Sequence, residues 1–342
     1  MPKRTFARQF EDEEEDSAVS ALVEKGEAEY AFEGFDIEFN EKIALTPLTP
    51  RRGPVAYGQS ISRAFRAEPS VDKVGDEISR ADFDRLNADE ALRQRRDAAA
   101  KQITDLAAAS NVTRINWKER GVAPIGYVKG MALVFARVYC KFNAKDPAAL
   151  EIAKKSSGKA LVDALADFAP EFKAAGMRND VDGADTLRHV FVLLYGLGMR
   201  ESAGQYCKGR FKKTNTDPET APAGLFQTSF NARNFSPLLK EMIKNFPRTP
   251  PTAGLLRVFR EGVPACTSQD AENVGTGEGQ EFQRLSKDSP AFAAEFTALA
   301  LRKASQHWEP VQKKTVEIRR ECDAMFKQVQ DLVDAQKLCG LL

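Results

Sequence analysis

At 342 residues the chain exceeds the usual size of a single domain, so one large or two smaller units are expected. Its 42% hydrophobic content is enough for a sizeable core, and its 50 Lys and Arg against 49 Asp and Glu leave a net charge of +1. That balance argues against a dedicated nucleic-acid binder, which usually shows a strongly basic face, while leaving room for a local basic patch, and the lack of any continuous apolar run of about 18 residues excludes a transmembrane helix.

Residues 1–110 read as a weakly ordered N-terminal region. They open without the apolar run of a secretory signal, so the chain is expected to be cytoplasmic as made, with any export by a non-classical route. Residues 11–16 are an acidic, solvated run. Residues 30–39 carry Phe32, Phe35, Ile37 and Phe39 and read as a short strand or a docking segment, and the proline-rich stretch 46–54 reads as a linker. Residues 82–109 favour a helix but are strongly charged, with Phe83, Leu86, Leu92, Ile103 and Leu106 as apolar anchors, which predicts a surface helix that docks in part.

The compact part is expected over 111–342 and is mainly α. Met131, Val134, Phe135 and Val138 keep helical spacing within 128–142, predicting a core helix. Asp146-Pro147 is a capped helix start, and a second helix is expected over 159–172, kinked or ended by Pro170. Leu187, Val190, Phe191, Leu194 and Gly198 recur on one helical face, while Val192, Leu193 and Tyr195 fill other faces, so this helix is expected to be buried all round. Gly196 and Gly198 each cost such a helix about 1 kcal/mol relative to Ala, so close packing or a helix end is expected there.

This greasy stretch runs into a lone acid, Glu201. A carboxyl at the end of an apolar helix is expensive unless solvated, paired or protonated, and a protonated one facing a cleft is a good general acid. Arg200 adjoins it in sequence, but neighbours at i,i+1 do not share a helix face. Downstream come a polar, basic loop (Lys208, Arg210, Lys212 and Lys213 around Phe211), read as solvated, and the segment Gly224-Leu225-Phe226-Gln227. A helix is expected over 237–246, ended by Pro247, Pro250 and Pro251, then a short apolar element over 255–260. Gly275, Gly277 and Gly279 suggest a loop with no phosphate-binding or dinucleotide fingerprint. Ser289-Pro290 opens a further helix, and 311–337 reads as one long amphipathic helix that packs on the domain or on a protein partner.

The five cysteines are odd in number and lack CxxC spacing, which points to free thiols, not to a disulfide scaffold or a zinc site, although one bridge such as Cys207 with Cys266 stays open. His189 and His307 are the two histidines, too few for a His-based metal site or a Ser-His-Asp triad, and neither a metal nor a cofactor is expected.

Arg200-Glu201-Ser202, followed downstream by Gly224-Leu225-Phe226-Gln227 and by the apolar stretch 291–308, resembles the lysozyme-like superfamily, and within it goose-type lysozymes and soluble lytic transglycosylases. Phe226 stands where that family usually has Met, and its Tyr-Asn-Ala-Gly element has no counterpart here. The resemblance spans roughly residues 115–310. It implies a lysozyme-like helical domain that cleaves β-1,4 bonds in peptidoglycan or chitin-like glycans, with Glu201 as catalytic acid, Ser202 as its orienter, and Gly224, Leu225, Phe226 and Gln227 lining the saccharide cleft. Ser229 and Tyr206 are further substrate-binding candidates. Asp217 and Glu219 are candidates for a second carboxylate, with turn and loop roles as the alternative. A non-enzymatic glycan-binding or scaffold protein that keeps the fold is the other reading. A protein partner is expected at the N-terminal region or the C-terminal helix.

Overall fold

Two helices of the computed structural model are buried along nearly their whole length, and the other elements wrap them. The structure describes residues 80–210, 214–246 and 254–342, with the backbone alone for 80–87. The acidic run, the aromatic segment 30–39, the linker 46–54, Phe211, Lys212, Lys213, Pro247, Pro250 and Pro251 lie outside the described residues.

In chain order the helices are α1 (Arg80–Ala109), α2 (Ile125–Asn143), α3 (Pro147–Ile152), α4 (Ala164–Asp167), α5 (Ala169–Ala174), α6 (Ala184–Ser202), α7 (Pro237–Asn245), α8 (Leu256–Phe259), α9 (Ser268–Ala271), α10 (Gly277–Asp288), α11 (Pro290–Leu301), α12 (Glu309–Gln312) and α13 (Arg320–Gln336). A two-residue antiparallel hairpin, β1 (Asn116–Trp117) with β2 (Gly121–Val122), precedes α2, with Trp117 opposite Gly121. The protein is thus mainly helical. No helix among the described residues is long and apolar enough to cross a membrane.

α6 is the first buried helix. Every residue from Thr186 to Met199 is buried, because its sequence is apolar around the full circumference. Each large aliphatic or aromatic side chain so buried stabilises the fold by about 1.5–3 kcal/mol. The two basic residues buried in the helix are both hydrogen-bonded. Arg188 donates to Asp323 and Asp185 at 2.6 Å each, and His189 Nδ1 lies 2.7 Å from Asn179 Oδ1. The glycines are sites of close approach, as their cost suggested. A Cβ on Gly196 would lie 2.3 Å from the Glu317 carbonyl oxygen, and one on Gly198 would lie 2.2 Å from the Tyr127 hydroxyl.

α11 is the second buried helix, buried at every position. Its start follows the expected chemistry: Ser289 Oγ accepts the Phe292 amide and Pro290 occupies the first turn. Asp146 caps α3 in the same way, accepting the Ala149 amide at 2.9 Å. α1 reaches the core through Ala99, Ile103 and Ala107 and packs against α2 and α13, so the helical body begins before residue 111.

The structure corrects several expectations. The helix expected over 159–172 is broken at Phe168, and Pro170 opens α5 instead of ending a helix. The chain before it is diverted because the buried Asp163 side chain caps α4 and pairs with Arg302 at 2.8 Å. The long C-terminal helix begins only at Arg320. Lys314 takes a left-handed φ of 54°, and the chain through Val316 and Glu317 turns inward against Gly196. Its apolar face is otherwise as read: Cys322, Met325, Phe326, Val329 and Val333 are buried. Gly277 and Gly279 belong to α10 and not to a loop, since a Cβ on Gly279 would meet the Pro218 carbonyl oxygen at 2.4 Å and only glycine lets that loop pack on the helix start. The cysteines are also reassigned. Cys140 pairs with Cys339 and Cys207 with Cys266, leaving Cys322 as a buried free thiol. Both pairs join segments far apart in sequence, so no local spacing announces them.

Candidate active site

The site is built on the last turn of α6. Ala203 adopts a left-handed conformation with φ 52° and Gly204 follows at 77°. Their amides return to the carbonyls of Met199 and Gly198, which ends the helix sharply. Glu201 sits in this turn, half-buried. Among the described residues its carboxyl takes no hydrogen bond and no ion pair.

The two nearest cations are engaged elsewhere. Arg200 points away from its neighbour and pairs with Glu119 of the β1–β2 turn at 2.8 Å. Arg120 donates through Nε to the Arg200 carbonyl at 2.9 Å and through NH1 to the Glu119 carbonyl at 3.2 Å. The hairpin is therefore strapped to the end of α6, with Glu119 at a left-handed φ of 59° forming the tight turn.

Burial raises the Glu201 carboxyl to about 7. Arg120 pulls it down, the like charge of Glu309 pushes it up, and Arg200 pulls it down. Its place at the negative end of a helix works in the same direction as burial. Glu201 therefore holds its proton to a higher pH than an ordinary carboxyl.

Glu309 was not legible as a functional residue. It is exposed, opens α12 and pairs with Lys313 one turn on. Its position is set by Trp308, whose buried indole donates to the Phe226 carbonyl at 2.9 Å. The available signal was an acid in a helix first turn beside Pro310, next to a large buried aromatic.

The remaining candidates separate into frame and surface. Ser202 is buried and its hydroxyl donates to the Gly198 carbonyl at 3.0 Å, so it fastens the helix end and makes no bond to Glu201. Leu225 and Phe226 have core side chains, at 0% and 1% exposure, and do not line a cleft. Phe226 lies against α6 at Gly198, where an added Cβ would meet its ring at 2.9 Å. Gly224 has φ 74°, and a Cβ there would meet the Ser286 carbonyl oxygen at 2.8 Å. Gln227 is half-buried, and its amide donates to the Lys208 and Gly224 carbonyls at 3.2 and 3.1 Å. The motif thus braces α6 from behind.

Asp217 and Glu219 hold their own loop and are not poised as a second carboxylate. Asp217 accepts from the Glu219 amide and the Thr220 hydroxyl at 3.0 Å each, and Glu219 pairs with Arg233 at 2.7 Å. The half-buried Tyr206 hydroxyl lies 3.3 Å from the Cys266 sulfur. Ser229 is buried, donates to Asn231 Oδ1 at 2.8 Å and lies 3.2 Å from His307 Nε2. The structure therefore places one acid, Glu201, half-buried at the end of α6, which α12 contacts and where the charge of Glu309 acts on it. No family model, no curated protein and no solved structure matches the chain.

Proposed function

We propose that the protein is a glycan-cleaving enzyme of lysozyme-like design, acting on β-1,4 bonds of peptidoglycan or a chitin-like glycan. The observation that carries this reading is Glu201: a half-buried carboxyl without a partner among the described residues, raised by burial to about 7 on a rigid helix end. Glycoside cleavage needs an acid still protonated at neutral pH, and a carboxyl in an apolar setting meets that need. The like charge of Glu309 favours the proton on Glu201. With one poised acid and an exposed second carboxylate, both hydrolysis and intramolecular capture by a sugar hydroxyl are open to the site. The two disulfides fit a place of work outside the reducing cytoplasm.

Digestion of purified peptidoglycan, with mass analysis of the soluble fragments, tests the reading. Anhydro-sugar ends indicate a transglycosylase and reducing ends a hydrolase, and Glu201→Gln should silence either. The burial of Leu225 and Phe226 withdraws two residues that the expected cleft would use, and the second reading is a non-enzymatic glycan-binding or scaffold protein. Retention on peptidoglycan with no released fragments would select it.

A further inference from the structure

The end of α1, the 3-10 turn Asn111–Arg114 and the first turns of α13 line one cleft of about 540 Å³. That volume lies inside the range of small-molecule sites, about 300–1,000 Å³. Leu106 and the buried Met325 give the cleft an apolar lining. Arg320, Glu321, Gln328 and Asn111 give it one cation, one anion and two amides.

The two charges do not cancel each other. Arg320 and Glu321 are neighbours in sequence, so their side chains leave the helix about 100° apart and do not face each other. One turn on, Asp323 could serve Arg320, but it is taken up by Arg188 at 2.6 Å. Ala324 and Met325, one turn beyond Glu321, offer it no base. Among the described residues Glu321 therefore takes no hydrogen bond and no ion pair, and Arg320 has no acidic partner. Arg320 is nevertheless held in place, because Nη2 donates to the Ala174 carbonyl of α5 at 2.8 Å. That leaves Nε and Nη1 as donors. The side-chain amides of Asn111 and Gln328 are also without a partner among the described residues. Ala109, the last residue of α1, lines the same cleft, and the last turn of this 30-residue helix carries no basic residue. The negative end of α1 is thus open to a cation.

We propose that this cleft binds a short zwitterionic peptide. Its carboxylate pairs with Arg320, and its ammonium pairs with Glu321, aided by the negative end of α1. Its peptide group meets the amides of Asn111 and Gln328, and an apolar side chain packs on Leu106 and Met325. Neither Arg320 nor Glu321 enters the glycan-cleaving reading, so failure of one leaves the other untouched. The test is titration of the isotope-labelled full chain, followed by its backbone amide resonances, at pH 7, where both ends of a dipeptide are charged. The probes are alanyl-leucine, its N-acetyl form, its C-terminal amide and free leucine. Alanyl-leucine should shift the amides of 109–111 and 320–328 saturably, with a dissociation constant in the millimolar range or below. Blocking either end should weaken binding about tenfold, because a hydrogen bond to a charged group is lost. Arg320→Gln should bind alanyl-leucine only as well as wild type binds the C-terminal amide, and amidation should then cost nothing more. Glu321→Gln should do the same for acetylation. Free leucine, which lacks the peptide group, should bind more weakly. Unmoved resonances elsewhere report that each variant is folded. No saturable shift in this range, shifts confined to other residues, affinity indifferent to either block, or variants in which both blocks cost as much as in wild type overturn the site. Leucine binding as tightly as alanyl-leucine overturns the peptide as its ligand.

Discussion

Replacing Glu201 by Gln probes the premise of the site without any substrate. In the unfolded chain the carboxyl has its ordinary value of 4.5, and in the folded protein it titrates at about 7. The folded state therefore holds the proton more tightly. Stability from this group is fully present below pH 4.5 and is lost as pH rises through 7. At about 1.4 kcal/mol per pH unit, the full loss comes to about 3 kcal/mol. Glutamine has nearly the same shape and stays neutral throughout, so the variant escapes the loss. Wild type and Glu201→Gln should have equal stability at pH 4, and the variant should be more stable at pH 8 by about 3 kcal/mol, or roughly 6–12 °C in melting temperature for a body of this size. Urea and thermal unfolding of both proteins at the two pH values measure this directly. An offset that does not change with pH, or a wild type that is the more stable at pH 8, would refute the account of Glu201 as a carboxyl kept neutral by burial.

Activity on peptidoglycan should fall as pH rises through about 7, and Glu201→Gln should lower turnover by on the order of 10² to 10⁴. Glu309→Gln, by removing a like charge, should shift the basic limb of the pH–rate profile to lower pH; a shift to higher pH would contradict the charge assignment. Gly198→Ala forces a Cβ to 2.2 Å from the Tyr127 hydroxyl and should cost about 1–3 kcal/mol in urea unfolding. Replacing Cys207 and Cys266 together by Ser should lower stability by about 2–4 kcal/mol at equilibrium, and reductant should then lower it further only through Cys140–Cys339.

The helices with strong periodicity were legible, because burial and spacing report the same fact. α6 and α11 are apolar enough that no other arrangement satisfies them, and the Asp-Pro and Ser-Pro caps mark their own positions. What escaped depended on partners distant in the chain. The break at Phe168 follows from Asp163 meeting Arg302, and the late start of α13 from Glu317 meeting Gly196. Glu201 stood out as an acid closing an apolar run. Its neighbour Glu309 did not, since only the docking of Trp308 on Phe226 brings α12 to the end of α6. The segment 224–227 was read for its side chains, whereas its backbone turn and its contact with Gly198 are what it contributes.

The Cys140–Cys339 bridge has a mechanical consequence. It joins α2 to a point three residues from the final Leu342 and spans 199 residues of sequence, with α6, α11 and the candidate acid all inside the loop. Tension applied on either side of the loop would reach the sulfur–sulfur link through α2, so the covalent path bypasses residues 141–338. Breaking the link would release about 700 Å of extra contour length, at roughly 3.5 Å per residue.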